Sequence, residues 1–360
     1  MAARPRVIVI GAGIIGASIA WHLAQLGATV TVIEAGEPGG VATRDSWAWI
    51  NASMSQSEAY FRLRAKAMTE WRRLERQLPA LRVDWSGSLN WELRPDRLQA
   101  LASRLSGWGY DISCVDAQES HRVEPNLQRP PETALHARGE GSVEPVAATL
   151  ALLAAARGLG VDIIAGETVS SIEGQGGRVS GVRTSSGRRD ADRVIVAAGG
   201  ATAAIAATAG LDLPIADPAA LLVVTQPHQR LLRGLVMTPE LQLRQASDGR
   251  FVAAADLRGM DSGIAAAGVL GALEELFHPG ASITLDSHRA GRRPIPGDGL
   301  PLVGWVERVT GLYVAVTHSG VTLAPGIGRM VAEEVMSDRR DPLLASFGLE
   351  RLSTTTTRKS

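Results

Sequence analysis

The sequence predicts an α/β protein in which a nucleotide-binding unit on a parallel sheet is interleaved with a second, mainly antiparallel domain. Three observations predict it. The chain opens on the apolar run Val7-Ile8-Val9-Ile10, which leads into Gly11, Gly13 and Gly16 at GxGxxG spacing, an alanine-rich stretch and Val30-Thr31-Val32-Ile33-Glu34. Comparable β and α patterns return at Val194 to Gly199 and at Leu312 to Met336. Strand-rich blocks separate the three, and 360 residues exceed one average domain.

The first unit reads as strand, turn, helix, strand. Four β-branched residues make a buried strand, and the glycines stand where a tight turn, approach to a pyrophosphate and helix-to-sheet packing exclude a Cβ. Ser18 to Gln25 then form a helix whose N-terminal amides face phosphates, and Glu34 ends the next strand, where an acid accepts from a ribose diol. Together these mark a Rossmann-like dinucleotide site. They do not choose between NAD and FAD.

Gly36 to Ser46 reads as a loop and Glu58 to Leu78 as a long amphipathic helix. Trp85 to Arg94 alternates like a strand, Asp96 to Leu105 is helical, and Glu132 to Arg138 is a short strand. Pro145 starts an apolar helix reaching Gly158. Strands follow at Val161 to Ala165, Val169 to Glu173, Arg178 to Thr184 and Asp192 to Ala198, broken by glycine turns. Further strands are expected at Ala219 to Thr225, Leu241 to Gln245, Arg250 to Ala255 and Ser282 to Arg289, with a helix over Gly268 to Phe277. The closing unit is a strand at Leu312 to Thr317 and an apolar helix reaching Met336. This order assigns 1–80, 141–212 and 290–350 to the nucleotide-binding domain, 81–140 and 213–289 to the second domain, and 351–360 to a disordered tail.

Composition narrows the function. Acidic and basic residues balance to zero, so no global field recruits nucleic acid or anionic membrane. The single cysteine, Cys114, excludes a disulfide framework and a multi-thiolate metal cluster, and fits a reducing compartment. No apolar run has transmembrane length and none resembling a secretory segment precedes the first strand, so a cytoplasmic protein is expected. Lysine occurs only at Lys66 and Lys359.

Four stretches carry a resemblance: Gly11 to Gly16 with Glu34; Gly39-Gly40-Val41-Ala42-Thr43-Arg44-Asp45-Ser46; Val194 to Gly199; and Gly291-Arg292-Arg293-Pro294 through Gly304, with His318-Ser319-Gly320-Val321-Thr322-Leu323-Ala324-Pro325. The chain resembles, over nearly its whole length, the D-amino-acid oxidase family of FAD-dependent amine oxidoreductases, which includes glycine oxidase, sarcosine oxidase and D-amino acid dehydrogenases. The resemblance implies an FAD-binding Rossmann-like domain and a β-sheet substrate domain. It carries FAD contacts onto Ile14, Ile15, Glu34, Ala35, Ala42, Thr43, Trp47, Ala48 and Trp49, onto Val169 beside the adenine, and onto His318, Ser319, Gly320, Val321 and Thr322 around the flavin. Ala198 and Gly199 close the middle unit beside the same cofactor. Physical logic agrees, because flavin reduced at N5 gathers negative charge at N1, and a helix starting near Val321 aims amides and about half a positive charge at that edge. The lesser alternative is that residues 312–336 are only a final strand and helix completing the core.

The implied reaction passes the α-hydrogen of a small amino or imino acid, as hydride, to flavin N5 and leaves an imine. Arg293 falls where the family holds the substrate carboxylate, with Arg292 as competitor, and a guanidinium fork suits both oxygens. His318 is open to two readings, proton acceptor or loop hydrogen bond. Trp47 and Trp49 either wall the pocket or belong to the core. Arg44 and Asp45 either reach the pyrophosphate or pair with each other. With Cys114 outside every motif and no histidine in 36–54, the FAD is expected to be non-covalent. No lysine falls in a matching stretch, so oxygen, a quinone or another carrier all remain as electron acceptor. A homo-oligomer or heteromeric complex fits equally. The alternatives are an NADPH-dependent flavin monooxygenase and a non-catalytic flavoprotein subunit of an amine dehydrogenase complex.

Overall fold

The computed structural model describes residues 4–257, 259–277 and 282–352. Eight α-helices occur among them: α1 (Ile14–Gln25), α2 (Glu58–Gln77), α3 (Pro95–Gly107), α4 (Ala117–Val123), α5 (Pro145–Gly158), α6 (Thr202–Ala207), α7 (Ser262–Leu276) and α8 (Gly320–Ser337).

One sheet has six strands in the order Leu302–Trp305, Leu312–Val316, Arg193–Val196, Arg6–Ile10, Thr29–Glu34 and Asp162–Ala165. All neighbours are parallel except the first pair. Its inner strands are apolar on both faces because helices cover one side and a three-stranded sheet (169–190) the other. The chain leaves Arg6–Ile10 in one direction toward Thr29–Glu34, while Arg193–Val196 flanks it on the other side. That reversal opens a crevice at the carboxyl ends of the strands, where ligands of such sheets bind.

The second large sheet has eight strands, in the order Leu285–Arg292, Ala219–Thr225, Phe251–Ala255, Gln242–Gln245, Leu235–Met237, Ser88–Asn90, Thr133–Ala137 and Ile112–Asp116. It is antiparallel apart from the parallel pair 235–237 with 88–90. Period-two alternation sorts its side chains. Leu89, Val236, Leu243, Phe251, Ala253 and Val223 pack with α7 through Ala265, Val269 and Leu273. The opposite face carries Leu222, Val252, Leu235 and Met237, which meet Trp47 and Trp49 from the nucleotide-binding half. This inner face, the roof of the site, packs on that loop, and its edge strand ends at Arg292 in the crevice wall.

Several elements differ from the sequence reading. Strand character between Trp85 and Arg94 survives only at Ser88–Asn90, since the rest of that segment turns into the Pro95 helix start. α7 begins at Ser262, six residues before the expected Gly268, because Asp261 caps it through the amides of Gly263 and Ile264. The strands Ile112–Asp116, Gly187–Asp190 and Leu235–Met237 and helix α4 were not expected. Arg351 and Leu352 do not belong to a disordered tail: they close a 3₁₀ turn, and Arg351 donates to Asp298 at 2.8 Å. The remainder of the expected tail, 353–360, lies outside the described residues.

Candidate functional site

A cavity of about 510 Å³ follows the crevice from Glu34 to His318. The opening turn builds its first wall. Gly11 has φ +104° and sits so close to the next strand that a Cβ would lie 2.6 Å from the carbonyl oxygen of Ala197. At Gly16 a Cβ would fall 2.0 Å from the carbonyl oxygen of Gly11, so helix and turn touch backbone to backbone. The Ile14 amide donates to Thr43 Oγ1 at 3.1 Å, whereas the amides of Ile15 and Gly16 meet no acceptor among the described residues. These are the free donors of a helix N-terminus, available to a phosphate. Glu34 accepts from the Ala12 amide at 2.7 Å and the Gly36 amide at 3.0 Å, which orients its carboxylate in the cavity wall. Those two bonds leave acceptor capacity for a diol.

The wall also contains Gly13, Ala35, Ala42, Val169, Ala198 and Gly199. At the far end stand His318, Gly320 and Val321, where the last strand turns into α8. No side chain caps α8, and the amides of Val321 and Thr322 find no acceptor among the described residues. Two helix N-termini with unpartnered donors, joined by one crevice, fit a long ligand with a phosphate at one end and an electron-rich ring at the other.

Other expected contacts do not line this cavity. Thr322 Oγ1 instead donates to Trp49 O at 2.9 Å and accepts from the Asn51 amide, tying α8 to the loop after residue 48. Trp49 is buried, packs on Leu235 and Met237, and donates from Nε1 to Glu140 at 2.9 Å. Trp47, its ring centroid 5.3 Å from that of Trp49, covers the inner sheet face. Ala48 between them is buried with φ +66°, a left-handed kink supported by its amide donating to Ser46 Oγ. Arg44 pairs with Asp45, and Asp45 also takes Arg289 from the second sheet. Ser319 lies behind the wall, accepting from Arg64 and Tyr60.

Arg293 lies just past the edge strand of the roof, and His318 at the corner before α8 lies near enough for that guanidinium's charge to act on its imidazole. Arg293 pairs with the exposed Asp256 at 3.3 Å, and its buried Nε has no partner. Arg292 turns the other way, donates to Asp217 at 2.6 Å and lines the cofactor crevice. Desolvation, followed by the guanidiniums of Arg293 and Arg64, pushes the His318 imidazole down to about 4, so it is neutral at pH 7. Sequence reasoning missed the rest of this roof. Asn90 and Gln242 share the inner face through the register 90–237–242–254 and both donate to Glu92, at 3.3 and 3.1 Å. Burial raises the Glu92 carboxyl above its usual range, and Asp256 adds to the effect. The signal was strand pairing across 150 residues, which no local pattern carries.

A family model described as FAD-dependent oxidoreductase matches residues 6–334. The chain belongs to that family. The oxidoreductase is 29% identical to glycine oxidase of Bacillus licheniformis over 355 residues, covering 94% of this chain and 95% of the relative. It is 28% identical to D-amino acid dehydrogenase of Sinorhizobium medicae, covering 93% and 96%. Among solved structures, L-proline dehydrogenase from P. horikoshii superposes with a TM-score of 0.89 over 99% of each chain, at 21% identity. FAD is therefore the cofactor of this oxidoreductase. The two sets of unpartnered amides, the ribose-side acid and the continuous crevice fit it.

Proposed function

We propose that this oxidoreductase oxidises the C–N bond of a small amino or imino acid, with Arg293 holding the α-carboxylate and His318, kept neutral, accepting a hydrogen bond from the amine. The observation that carries the reading is a guanidinium with an unsatisfied buried Nε whose charge acts on a neutral imidazole at the wall of the crevice. FAD, when bound, supplies the two-electron acceptor at flavin N5.

The protein's part is binding, orientation and proton handling. A substrate carboxylate displaces Asp256, itself exposed, from Arg293 and forms a bidentate pair. The amine reacts as the free base, its proton released to solvent, and neutral His318 accepts a hydrogen bond from the amine N–H, which orients the nitrogen lone pair. As the α-hydrogen leaves with its electron pair, that lone pair forms the C=N bond, and water later hydrolyses the imine. Placement of the Cα–H does most of the catalytic work and needs no covalent nucleophile. The Asn90–Glu92–Gln242 network bounds the far side of the roof and meets the substrate side chain.

The FAD is held without a covalent bond. Cys114 lies on the outermost strand of the eight-stranded sheet, away from the crevice. Lys66 is engaged with Glu70 on α2 at 3.2 Å, so no lysine among the described residues stands in the cavity wall.

Anaerobic titration of the FAD-loaded protein with a panel of amino and imino acids tests the reading. Loss of the oxidised flavin absorbance with at least one of them, and its absence in Arg293→Ala with FAD retained, is the expected result. Reduction by NADPH with no response to any amine would overturn it.

A further inference from the structure

We propose that Arg64, on α2, is a charge-unmatched buried cation that sets the electron affinity of the bound flavin. The proposal rests on the reading that the flavin ring lies against the corner from His318 to Thr322.

Arg64 is 3% exposed. Nε donates to Asn51 O at 2.9 Å, Nη2 to Asn51 Oδ1 at 2.6 Å, and Nη1 to Ser319 Oγ at 3.1 Å and Tyr60 OH at 3.3 Å, with Met54 O at 3.5 Å. Every one of these acceptors is neutral. Among the described residues no carboxylate forms an ion pair with it, unlike buried Glu70, which gathers Lys66, Arg73 and Arg329, or buried Arg244, which meets Glu144. The carboxylate reached through the network is Glu140, beyond Ala52 and Tyr110, and it is occupied by donors from Trp49, Ser53, Ser88 and Tyr110. A buried ion normally demands a counter-charge, because its desolvation is otherwise uncompensated.

The counter-charge belongs in the cavity. Ser319 stands at the N-cap of α8, yet its hydroxyl does not cap the helix; it is taken by Arg64 and Tyr60. Val321 lines the cavity, and the guanidinium stands behind that stretch of wall, bound to Ser319 two residues earlier. The field of Arg64 reaches into that space, since it helps keep His318 deprotonated. A hydride brings two electrons and one proton to the flavin, so without a second proton the ring gains one negative charge at N1. Arg64 offsets that charge and, through Asn51 and Ser319, positions the corner that meets it.

Sulfite is the probe, because its addition at flavin N5 places the same negative charge on the ring without turnover. FAD-loaded Arg64→Gln, which keeps planar donors but loses the charge, is expected to bind sulfite about 10- to 100-fold more weakly than wild type. At about 30 mV per tenfold for a two-electron couple, its midpoint potential falls by roughly 30–60 mV. Arg64→Lys, which restores the charge, is expected to stay within about threefold of wild type. Unchanged sulfite affinity and potential in Arg64→Gln, or equal losses in the glutamine and lysine variants, overturn the proposal. Should Arg64→Gln not fold, wild type decides: its FAD must take sulfite at least tenfold tighter than free FAD, and equal affinity overturns the assignment. Gly320→Ala separates the two readings. Its Cβ would meet only Ile15 Cγ1, at an ordinary 3.8 Å, so the apoprotein is expected to melt as wild type while FAD affinity falls. Unchanged FAD affinity there overturns the ring placement and the proposal with it; a loss there with Arg64→Gln unmoved overturns the role of Arg64 alone.

Discussion

Two adjacent arginines illustrate how a single side-chain direction decides chemistry. Arg292 and Arg293 are equivalent in sequence, but Arg292 closes its strand and reaches Asp217 in the cofactor crevice, whereas Arg293, one residue past the strand, reaches Asp256. Arg293→Ala is expected to lower kcat/KM by the equivalent of about 2–5 kcal/mol with FAD affinity unchanged, measured by steady-state kinetics and flavin fluorescence. Arg292→Ala is expected to show the reverse, weaker FAD retention and a smaller kinetic effect. His318 adds a pH signature. Burial and two guanidiniums hold it near 4, so it is already deprotonated throughout pH 5–8. The kcat/KM profile of wild type should show no inflection from it in that window, and a His318→Asn variant should lower the rate by a pH-independent factor across pH 5–8.

At the scale of elements, buried polar groups join segments that apolar packing alone would leave loose. Glu140 is fully buried and takes donors from Trp49, Ser53, Ser88 and Tyr110, linking the two halves through one carboxylate. Glu140→Gln turns one acceptor into a donor facing donors. It is expected to cost about 2–4 kcal/mol in urea unfolding, since hydrogen bonds to a charge are each worth about 1.5–3 kcal/mol. His22 on α1 works in the opposite electrostatic sense. Its Nδ1 meets Ser18 O at 2.8 Å and its Nε2 meets Arg73 at 2.9 Å, and burial pushes the ring down to about 4. The folded pKa lies below the unfolded value near 6.5, so the unfolded state binds the proton first and stability falls as pH drops from about 6.5 to about 4. At 1.36 kcal/mol per unit the loss is about 3 kcal/mol, which His22→Gln should remove from the pH dependence of unfolding. Elements with a strong local signal were legible from the chain: the opening strand–turn–helix, α2, α5, and the strands at 178–184 and 219–225. Short strands such as 235–237 were not, because three residues carry no period and gain strand geometry only from neighbours at 88–90 and 242–245.

The whole molecule is a crevice between a nucleotide-binding sheet and a roof, and ligand binding should be felt globally. FAD binds the folded state alone, so at 100 times its dissociation constant it is expected to add about 2.7 kcal/mol to the unfolding free energy. Calorimetry of stripped and reloaded protein checks this; an unchanged melting temperature would contradict a cofactor lodged between the halves. No helix among the described residues is long and apolar enough to cross a membrane. The amino-acid sequence by itself determined the cofactor end of this protein, because a phosphate-binding turn is a local object: its glycines, helix start and acid lie within 24 residues of one another, from Gly11 to Glu34. It also placed Arg293 and His318 in stretches worth testing. Only the tertiary structure decided which distant side chains become partners. Glu92 and Gln242, Arg293 and Asp256, and Arg64 and Ser319 come from segments far apart in the chain, and strand register and helix packing, not spacing, bring each pair together. Pairing energies summed over a whole sheet set that register, and a short window of residues contains too few of them to reveal it.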